Sequence, residues 1–491
     1  MKPGGERPLR TNNGNTMHRN FVNGRFVDCS GAEQIAVFNP ARGVTISHVP
    51  ETPLEVVDEA IGAARKAQVA WGRRTPIERA GYLRRIASKV RDNAEAIART
   101  ISEEQGKVLS LARIEANFTA DYLDYMAEWA RRLEGEIVTS DRAGENIFLF
   151  RQPIGVIGGI LPWNFPFFLI ARKLGPALLT GNTIVIKPSE ETPNNAAFFA
   201  DLVSQTDLPP GVFNLVYGRG ATVGRAIVRN PSVGMVSFTG SVDTGASIMA
   251  EAARNITKVN LELGGKAPAI VLVDADIDLA VNAIKASRII NSGQVCNCAE
   301  RIYVQRAVAE EFTAKFVAAM RQARFGDPLA DHTVDMGPLI HRKAAEKVRE
   351  MVRRATADGA ELATGGSMVE AGGGCYFEPT VLVNCRHDME IMHQEIFGPV
   401  APIHVIDGLD EAIAKANDSI YGLTSSIYTA NLSAAMKACN EIQAGETYIN
   451  RENFEAMQGF HAGVHRSGIG GADGKHGLYE YTQTHMVYIQ G

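Results

Sequence analysis

The stretch VIGGILPWNFPFFLIARKLGPALLTGNTIVIKPSE, residues 156–190, contains two short β-rich runs on either side of an apolar helical pattern. The same alternation continues downstream through GVFNLVYG, VGMVSFTG and ITKVNLEL. Strands that alternate with helices favour right-handed crossovers and a parallel sheet. The stretch therefore predicts an α/β fold, in which ligand sites lie beyond the carboxyl ends of the strands.

The regions on both sides extend this prediction. Residues 53–134 have apolar positions at helical spacing, and a second β/α series begins at APAIVLVDAD, residues 267–276. Residues 136–155 predict two strands around the turn-forming SDRAGEN, and residues 481–491 alternate like a strand. We expect two α/β units, with the hairpin and the terminal strand as assembly elements. The terminal strand is a candidate for pairing across a subunit boundary.

Composition excludes several classes of function. The 491 residues carry a net charge of -5, so no basic footprint for nucleic acid is present. The most apolar segment, residues 165–179, is broken by Arg172, Lys173 and Pro176, and no run reaches the roughly 18 residues of a membrane helix. The polar start has no apolar core of a signal peptide. We expect a disordered tail at residues 1–17 and a cytoplasmic location.

Two of the six cysteines, Cys296 and Cys298, are one residue apart in INSGQVCNCAE, residues 290–300. A disulfide between them would be strained, because the geometry of that bond is demanding. A zinc site usually needs paired ligand spacings, and no second close pair exists, so no metal site is predicted. Two interpretations of these cysteines remain, which are packing in the core and nucleophilic chemistry.

Two strand-end segments suggest nucleotide contacts. SFTGSVDTG, residues 237–245, runs from a strand into a helix start, where backbone N–H groups can hold phosphate. In IKPSE, the Glu190 carboxylate could accept hydrogen bonds from ribose hydroxyls and repel a 2′-phosphate, which favours NAD over NADP. A tight strand–helix turn and an exposed charged loop are the alternatives.

Two further segments suggest catalytic groups. In LPWNFP the prolines stiffen the backbone around Asn164, whose amide could stabilise an oxyanion. Alternatively Asn164 caps the next helix. In LELGGK the leucines beside Glu262 predict a raised pKa for its carboxyl, which suits a general base. Alternatively Glu262 faces solvent.

LPWNFP, IKPSE, FTGS, LELGGK, GQVC and EIFGPV occur in an order and spacing that resemble the NAD(P)-dependent aldehyde dehydrogenase superfamily. The resemblance runs from about Phe21 to Gly491. It implies a Rossmann-type cofactor domain, a second α/β catalytic domain and a β oligomerisation element that builds a homotetramer, a dimer of dimers. These would comprise residues 18–133 and 153–264, residues 265–463, and residues 134–152 and 474–491, respectively.

The resemblance also implies roles for individual residues. Cys296 would be the nucleophile, Asn164 an oxyanion donor and Glu262 the group that activates water, with a free acid as product. Cys298 would be a neighbour or a resolving thiol. Contacts to the NAD cofactor are implied for Leu161, Trp163, Lys187, Glu190, Gly240, Ser241, Glu395 and Phe397.

One departure bears on the substrate. Many members of the superfamily have PFGG where this chain has MQGFHAGVHRSGIGG, residues 457–471. His461, with Glu455 and Arg172, suits a short 2-hydroxyaldehyde such as lactaldehyde or glycolaldehyde, because polar groups that bond a hydroxyl reject analogues lacking it. Alternatively Arg172 binds the carboxylate of a semialdehyde, or it pairs with a structural carboxylate while His461 packs at an interface. A non-catalytic protein would have no reason to keep Cys296 and Asn164 together with Glu262.

Overall fold

A computed structural model describes residues 9–10 and 16–491 of the chain. Up to residue 264 the strands are β1 (Leu9–Arg10), β2 (Thr16–Met17), β3 (Asn20–Val22), β4 (Arg25–Val27), β5 (Gln34–Asn39), β6 (Val44–Pro50), β7 (Glu136–Thr139), β8 (Glu145–Pro153), β9 (Val156–Ile160), β10 (Thr183–Lys187), β11 (Phe213–Leu215), β12 (Val233–Thr239) and β13 (Lys258–Glu262). The α-helices of this part are α1 (Leu54–Gly72), α2 (Pro76–Asp92), α3 (Ala94–Gln105), α4 (Leu109–Glu128), α5 (Phe168–Leu179), α6 (Asn194–Ser204), α7 (Arg225–Arg229) and α8 (Val242–Ala252).

The rest of the chain forms a second series. Its strands are β14 (Ala267–Val271), β15 (Ala299–Gln305), β16 (Glu361–Thr364), β17 (Met368–Ala371), β18 (Gly374–Phe377), β19 (Thr380–Val383), β20 (Val400–Ile406), β21 (Thr424–Tyr428), β22 (Glu446–Ile449), β23 (Gly468–Ile469) and β24 (Thr482–Gln490). Its α-helices are α9 (Ile277–Ile289), α10 (Ala309–Arg321), α11 (Arg342–Ala357), α12 (Glu390–His393), α13 (Leu409–Asn417), α14 (Leu432–Glu441) and α15 (Gly474–Glu480).

The first large sheet has eight strands in the order β23-β13-β12-β9-β10-β11-β3-β4. Its five central strands, β13 to β11 in that order, are parallel. Every residue of β9 and of β10 is buried, as expected for a parallel sheet with helices on both faces. The α/β prediction made from residues 156–190 is confirmed here.

The second large sheet has seven strands in the order β16-β19-β20-β15-β14-β21-β22. All pairs from β19 to β22 are parallel, and only the edge strand β16 is antiparallel. The predicted second α/β unit is therefore present. Where one domain ends and the next begins remains a prediction.

A three-stranded antiparallel sheet has the order β24-β8-β7. The predicted hairpin is its β7–β8 part. The terminal strand β24 pairs along its nine residues with β8 of the same chain. It is an edge strand of this sheet, so pairing of its other edge across a subunit boundary stays a prediction. The sheet leaves Ile137 and Tyr488 exposed.

The predicted tail of residues 1–17 lies mostly outside the described residues. Within it, Leu9–Arg10 and Thr16–Met17 are short strands of a sheet with the order β1-β2-β6-β5, so for these four residues the structure has strands where we predicted disorder. Pairing with β6 supplies the backbone partners that the polar sequence alone does not indicate. Among the described helices, none has the length and apolar character needed to cross a membrane.

A buried ion pair fixes the turn between β9 and α5. The side chains of Lys107 and Glu115 have 0% exposure, and Lys107 Nζ lies 2.5 Å from Glu115 Oε2. Glu115 Oε1 accepts hydrogen bonds from the backbone N–H of Phe167 and Phe168 at the start of α5. Lys107 donates to the carbonyl of Asn164. The pair thus joins α4 to the segment LPWNFP.

We predict that Lys107→Met lowers the free energy of unfolding by about 3–5 kcal/mol, because Glu115 would remain as an uncompensated buried charge. The control is Arg25→Met, which removes the exposed pair Arg25–Glu59 and should cost less than about 1 kcal/mol. Denaturant titration followed by circular dichroism measures both changes. Equal losses in the two variants would contradict the structural role of the buried pair.

Candidate active site

A cavity of about 290 Å³ lies where the carboxyl ends of β9, β12 and β13 face the loop before β15. Parallel strands place ligand sites at this edge. The cavity brings together residues that are far apart in sequence, and its lining includes Trp163, Asn164, Arg172, Gly240, Ser241, Glu262, Cys296, Glu395, Phe397, Glu455 and His461. The other predicted cofactor residues, Leu161, Lys187 and Glu190, lie outside its lining.

The loop that carries Cys296 has an unusual backbone. Asn291, Ser292 and Gly293 have successive φ values of +47°, +58° and +75°. A Cβ on Gly293 would lie 2.3 Å from the carbonyl oxygen of Gly398, so glycine is required at this approach. The Gly293 carbonyl accepts a hydrogen bond from Arg288 Nη2 at 2.9 Å. This left-handed turn directs the chain so that Cys296 lines the cavity.

The neighbouring Cys298 is buried and does not line the cavity. Its thiol donates to the carbonyl of Val295 at 2.9 Å. Burial raises the pKa of Cys298 to about 12, and a thiol that stays protonated is a poor nucleophile. The geometry supports packing rather than the resolving role that the sequence left open.

Asn164 lies in the turn before α5, buried at the cavity wall. Its side-chain Nδ2 donates to the carbonyl of Gln294 at 3.1 Å, so the amide lies beside the Cys296 loop. Asn164 does not cap α5, because Glu115 takes the first N–H groups of that helix. An amide held in this way can donate to an oxygen anion that forms on a carbonyl attacked by Cys296.

The pKa of the Glu262 carboxyl differs from the prediction. Burial alone would raise the pKa of its carboxyl, but Lys173 and Arg172 outweigh burial and hold it at about 2. Lys173 Nζ lies 3.8 Å from Glu262 Oε2, and Arg172 Nε lies 4.0 Å from Oε1. The predicted raised pKa is wrong because side chains alternate along a strand. The leucines on either side of Glu262 point away from its face and do not describe its surroundings.

Arg172 is held by two carboxylates. Its Nε donates to Asp473 Oδ1 at 3.0 Å, and Nη2 contacts Asp473 Oδ2 and lies 3.3 Å from Glu455 Oε1. Glu455 Oε2 in turn accepts from Asn297 Nδ2 at 2.5 Å. The structural-carboxylate alternative therefore holds for Arg172, which also lines the cavity.

Sequence reasoning missed Asp473. It lies just before α15, about 300 residues from its partner, and its φ of +70° is uncommon outside glycine. A non-glycine residue in that conformation cannot be recognised from sequence. The only available signal was the polar GADGK segment, which resembles an ordinary turn.

His461 lies between Cys296 and a second carboxylate. The Cys296 side chain hydrogen-bonds His461, and His461 Nδ1 lies 3.2 Å from Glu446 Oε1. Tyr448 donates to the other oxygen of Glu446 at 2.5 Å. Burial and the charge of Arg172 lower the pKa of His461, but the charge of Glu455 and the hydrogen bonds to Cys296 and Glu446 outweigh them and raise it well above its ordinary value. His461 therefore places a positive charge beside the Cys296 side chain.

We predict that His461→Gln slows the alkylation of Cys296 by iodoacetamide about tenfold at pH 7, because the neutral amide no longer places a positive charge beside the attacking sulfur. Peptide mass spectrometry measures the rate. Cys298 is the internal control and should stay unmodified in both proteins. A rate that His461→Gln leaves unchanged at pH 7 would contradict the contact.

Groups suited to a dinucleotide lie at the other end of the cavity. Ser241 precedes α8 as its N-cap, so backbone N–H groups lie beside the cavity. The rings of Trp163 and Phe397 meet edge to face with centroids 5.6 Å apart. The φ of Phe397 is +57°, and its N–H donates to Glu300, a buried residue that sequence reasoning missed.

Glu395 adds a carboxylate to this end. It accepts from the backbone N–H of Gly265 at 3.0 Å, and a Cβ on Gly264 would lie 2.6 Å from its oxygens. Burial first, and then the charge of Glu300, raise the pKa of Glu395 to about 7. The two glycines of LELGGK thus make room for Glu395 at the wall.

Lys187 and Glu190 form an ion pair of 2.9 Å at the carboxyl end of β10. Burial would raise the pKa of Glu190, but Lys187 outweighs it and the pKa is lowered, so the group stays a carboxylate. Carboxylates for ribose hydroxyls, a helix start for phosphates and aromatic walls are the donors and surfaces that a nicotinamide dinucleotide needs. The residues present fit that cofactor.

The family model for the aldehyde dehydrogenase family matches residues 26–487. The chain belongs to the aldehyde dehydrogenase family. This family uses NAD(P), and the protein is an oxidoreductase.

Individual members of the family are similar over nearly the whole chain. Lactaldehyde dehydrogenase of Escherichia coli is 59% identical over 473 residues, which cover 96% of this chain and 98% of that protein. A crystal structure of lactaldehyde dehydrogenase from Escherichia coli matches with a TM-score of 0.96, covering 97% of this chain and 99% of that one. Succinate-semialdehyde dehydrogenase [NADP(+)] of Escherichia coli is 38% identical over 96% of this chain and 97% of its own length.

Proposed function

We propose that this aldehyde dehydrogenase oxidises short 2-hydroxyaldehydes, L-lactaldehyde to L-lactate and glycolaldehyde to glycolate, with NAD as the acceptor. The observation that carries the proposal is the polar end of the cavity, where Arg172, Glu455 and His461 line the same space as Cys296. The 59% identity with lactaldehyde dehydrogenase supports the same substrate class.

The proposed reaction begins at Cys296. Its thiolate, which lies beside the His461 cation, attacks the aldehyde carbonyl and forms a thiohemiacetal. Asn164 Nδ2 and the backbone N–H of Cys296 donate to the oxyanion, and losing one such donor typically costs about 3–4 kcal/mol of barrier. The nicotinamide, when bound, supplies the acceptor for the hydride. Glu395 and Phe397 would hold its end of the cofactor, while Trp163, Gly240 and Ser241 would hold the phosphates.

The remaining step is hydrolysis of the thioester. Glu262 is the proposed base, but a carboxylate with a pKa of about 2 is too weak to take a proton from water efficiently. We infer that Glu262 leaves Lys173 and Arg172 before it acts. Away from those two charges its basicity rises, and it can then accept a proton from a water molecule aimed at the thioester carbon.

The polar end of the cavity suits a hydroxyl group. Glu455 and His461 can accept from and donate to a hydroxyl on the carbon beside the carbonyl. Arg172 is already paired with Asp473 and Glu455, so it has little uncompensated charge for a distal carboxylate. This disfavours the semialdehyde alternative, whose negative group would also meet Glu455.

The test compares NADH formation with glycolaldehyde and acetaldehyde, which differ only in the hydroxyl, and with L-lactaldehyde and succinic semialdehyde. We expect kcat/KM for glycolaldehyde to exceed that for acetaldehyde by about 10- to 100-fold, because acetaldehyde leaves buried polar groups unpaired. Glu455→Gln should reduce this ratio. Glu452→Gln, which removes an exposed partner of Arg451, is the control and should leave it unchanged.

A highest kcat/KM with succinic semialdehyde would overturn the hydroxyaldehyde proposal in favour of the semialdehyde alternative. Equal kcat/KM values for glycolaldehyde and acetaldehyde would show that the polar end of the cavity does not distinguish substrates by their hydroxyl group.

The preference for NAD is proposed to depend on Glu190, which would repel the 2′-phosphate of NADP. We predict that Glu190→Gln raises the ratio of kcat/KM for NADP to that for NAD about tenfold, because removing a like charge relieves on the order of 1–4 kcal/mol. Glu191→Gln is the adjacent control. An unchanged ratio in Glu190→Gln would mean that residues other than Glu190 discriminate between NAD and NADP.

The three-stranded sheet is proposed as the element that joins subunits of a homotetramer. Ile137 is 76% exposed and Tyr488 is 62% exposed, and burying such apolar surface favours association. We further propose that the cofactor domain comprises residues 18–133 and 153–264, the catalytic domain residues 265–463, and the oligomerisation element residues 134–152 and 474–491.

A further inference from the structure

Two histidines and an aspartate meet in the segments that flank the second large sheet, outside the lining of the active-site cavity. His387 lies between β19 and α12, His393 is the last residue of α12, and Asp418 follows α13. One potential ligand atom from each lies within 4.8 Å of the other two. We propose that His387, His393 and Asp418 form a binding site for a divalent transition-metal ion of the Zn²⁺ class.

The orientation of His387 supports this proposal. Its Nδ1 lies 3.3 Å from the hydroxyl of Tyr303, and its Nε2 lies 2.9 Å from Asp418 Oδ2. A ligating histidine usually has its second ring nitrogen held by a polar partner, which fixes the ring for the metal. Tyr303 is this polar partner for Nδ1, so Nε2 is the nitrogen that would bind the ion. Its direct contact with Asp418 would then be replaced by an ion that both side chains bind.

The distances allow an ion with a small adjustment. Bonds of roughly 2.0–2.1 Å in a tetrahedral site place neighbouring ligand atoms about 3.3 Å apart. The side chain of Asp418 is 69% exposed, so it can rotate to bind the ion. The side chain of His387 is 16% exposed and already has the orientation that the site needs. The ring of His393 lies 5.0 Å from that of His387. A water molecule would complete the tetrahedron.

The surrounding charges permit the site. Lys415, one turn before Asp418, is the nearby cation, and its Nζ pairs with Glu411 at 3.5 Å. Arg386, next to His387, pairs with Asp388. Two imidazoles and one carboxylate select an ion of intermediate softness, whereas Mg²⁺ and Ca²⁺ prefer all-oxygen ligands.

The position of the site suggests what the ion would do. It would connect the end of α13 to α12, and α12 ends two residues before Glu395, which lines the active-site cavity. An ion held by three separate segments would stabilise this corner of the second sheet against local opening.

The test uses the tag-free, chelator-treated full chain carrying Cys296→Ser, so that the cavity thiol does not compete for metal. Calorimetric titration with Zn²⁺ should give one ion per chain, and Mg²⁺ should not bind at this site. In this background, His393→Gln and Asp418→Asn should each weaken Zn²⁺ binding more than Tyr303→Phe. That variant removes the partner of His387 Nδ1, together with contacts of the same hydroxyl to Arg301 and Lys415, and should cost about tenfold. His485→Gln, which removes an exposed histidine on β24, is the matched control and should bind as the parent does.

Thermal unfolding gives a second measurement. Zn²⁺ should raise the Tm of the Cys296→Ser protein and of the His485→Gln control, and should leave that of Asp418→Asn unchanged. Because Asp418 is exposed, Asp418→Asn keeps the test valid if His393→Gln fails to fold. Absence of Zn²⁺ binding to the parent, or equal binding in Asp418→Asn and the control, would overturn the proposal.

Discussion

Arg172 is the charge around which the active site is arranged. It lies on α5, yet its guanidinium is buried and contacts Asp473 before α15, Glu455 beside the Cys296 loop and Glu262 at the end of β13. A buried charge must be paired, since an isolated one is expensive in the protein interior. Satisfying this one guanidinium therefore fixes carboxylates from three distant parts of the chain. It also lowers the basicity of Glu262 and reduces the attraction of the cavity for a second negative group.

Buried carboxylates show how one chemical group takes different states within a few ångströms of the same cavity. Lys173 and Arg172 hold the pKa of Glu262 at about 2 against the effect of burial. For Glu395, burial and the charge of Glu300 outweigh the charges of Lys347 and Lys266 and raise its pKa to about 7. Glu115 is paired with Lys107 and holds the start of α5. The neighbouring charges, rather than the residue type, decide which of these groups is available for chemistry.

Some predictions depended on local pattern alone. The parallel strands followed from alternating runs and are confirmed. Cys296, Asn164 and Glu262 were chosen from contiguous motifs, and the structure places all three at one cavity, while their catalytic roles stay predictions. The predicted pKa of Glu262 failed because its leucine neighbours in sequence lie on the opposite face of the strand. Asp473 and Glu446 were missed because each acts on a residue of another element, and nothing around them in the chain marks that contact.

The sequence by itself determined the α/β class, the order of the strands along the chain and the set of candidate site residues. Those properties depend on periodicity and on short motifs, which operate over a few residues. Only the tertiary structure decided that β24 pairs with β8 of its own chain, that Cys298 is buried, and that Arg172 is neutralised by Asp473. It also brought His387, His393 and Asp418 together. These outcomes depend on which elements pack side by side, and burial and charge pairing between elements leave no periodic trace in the sequence.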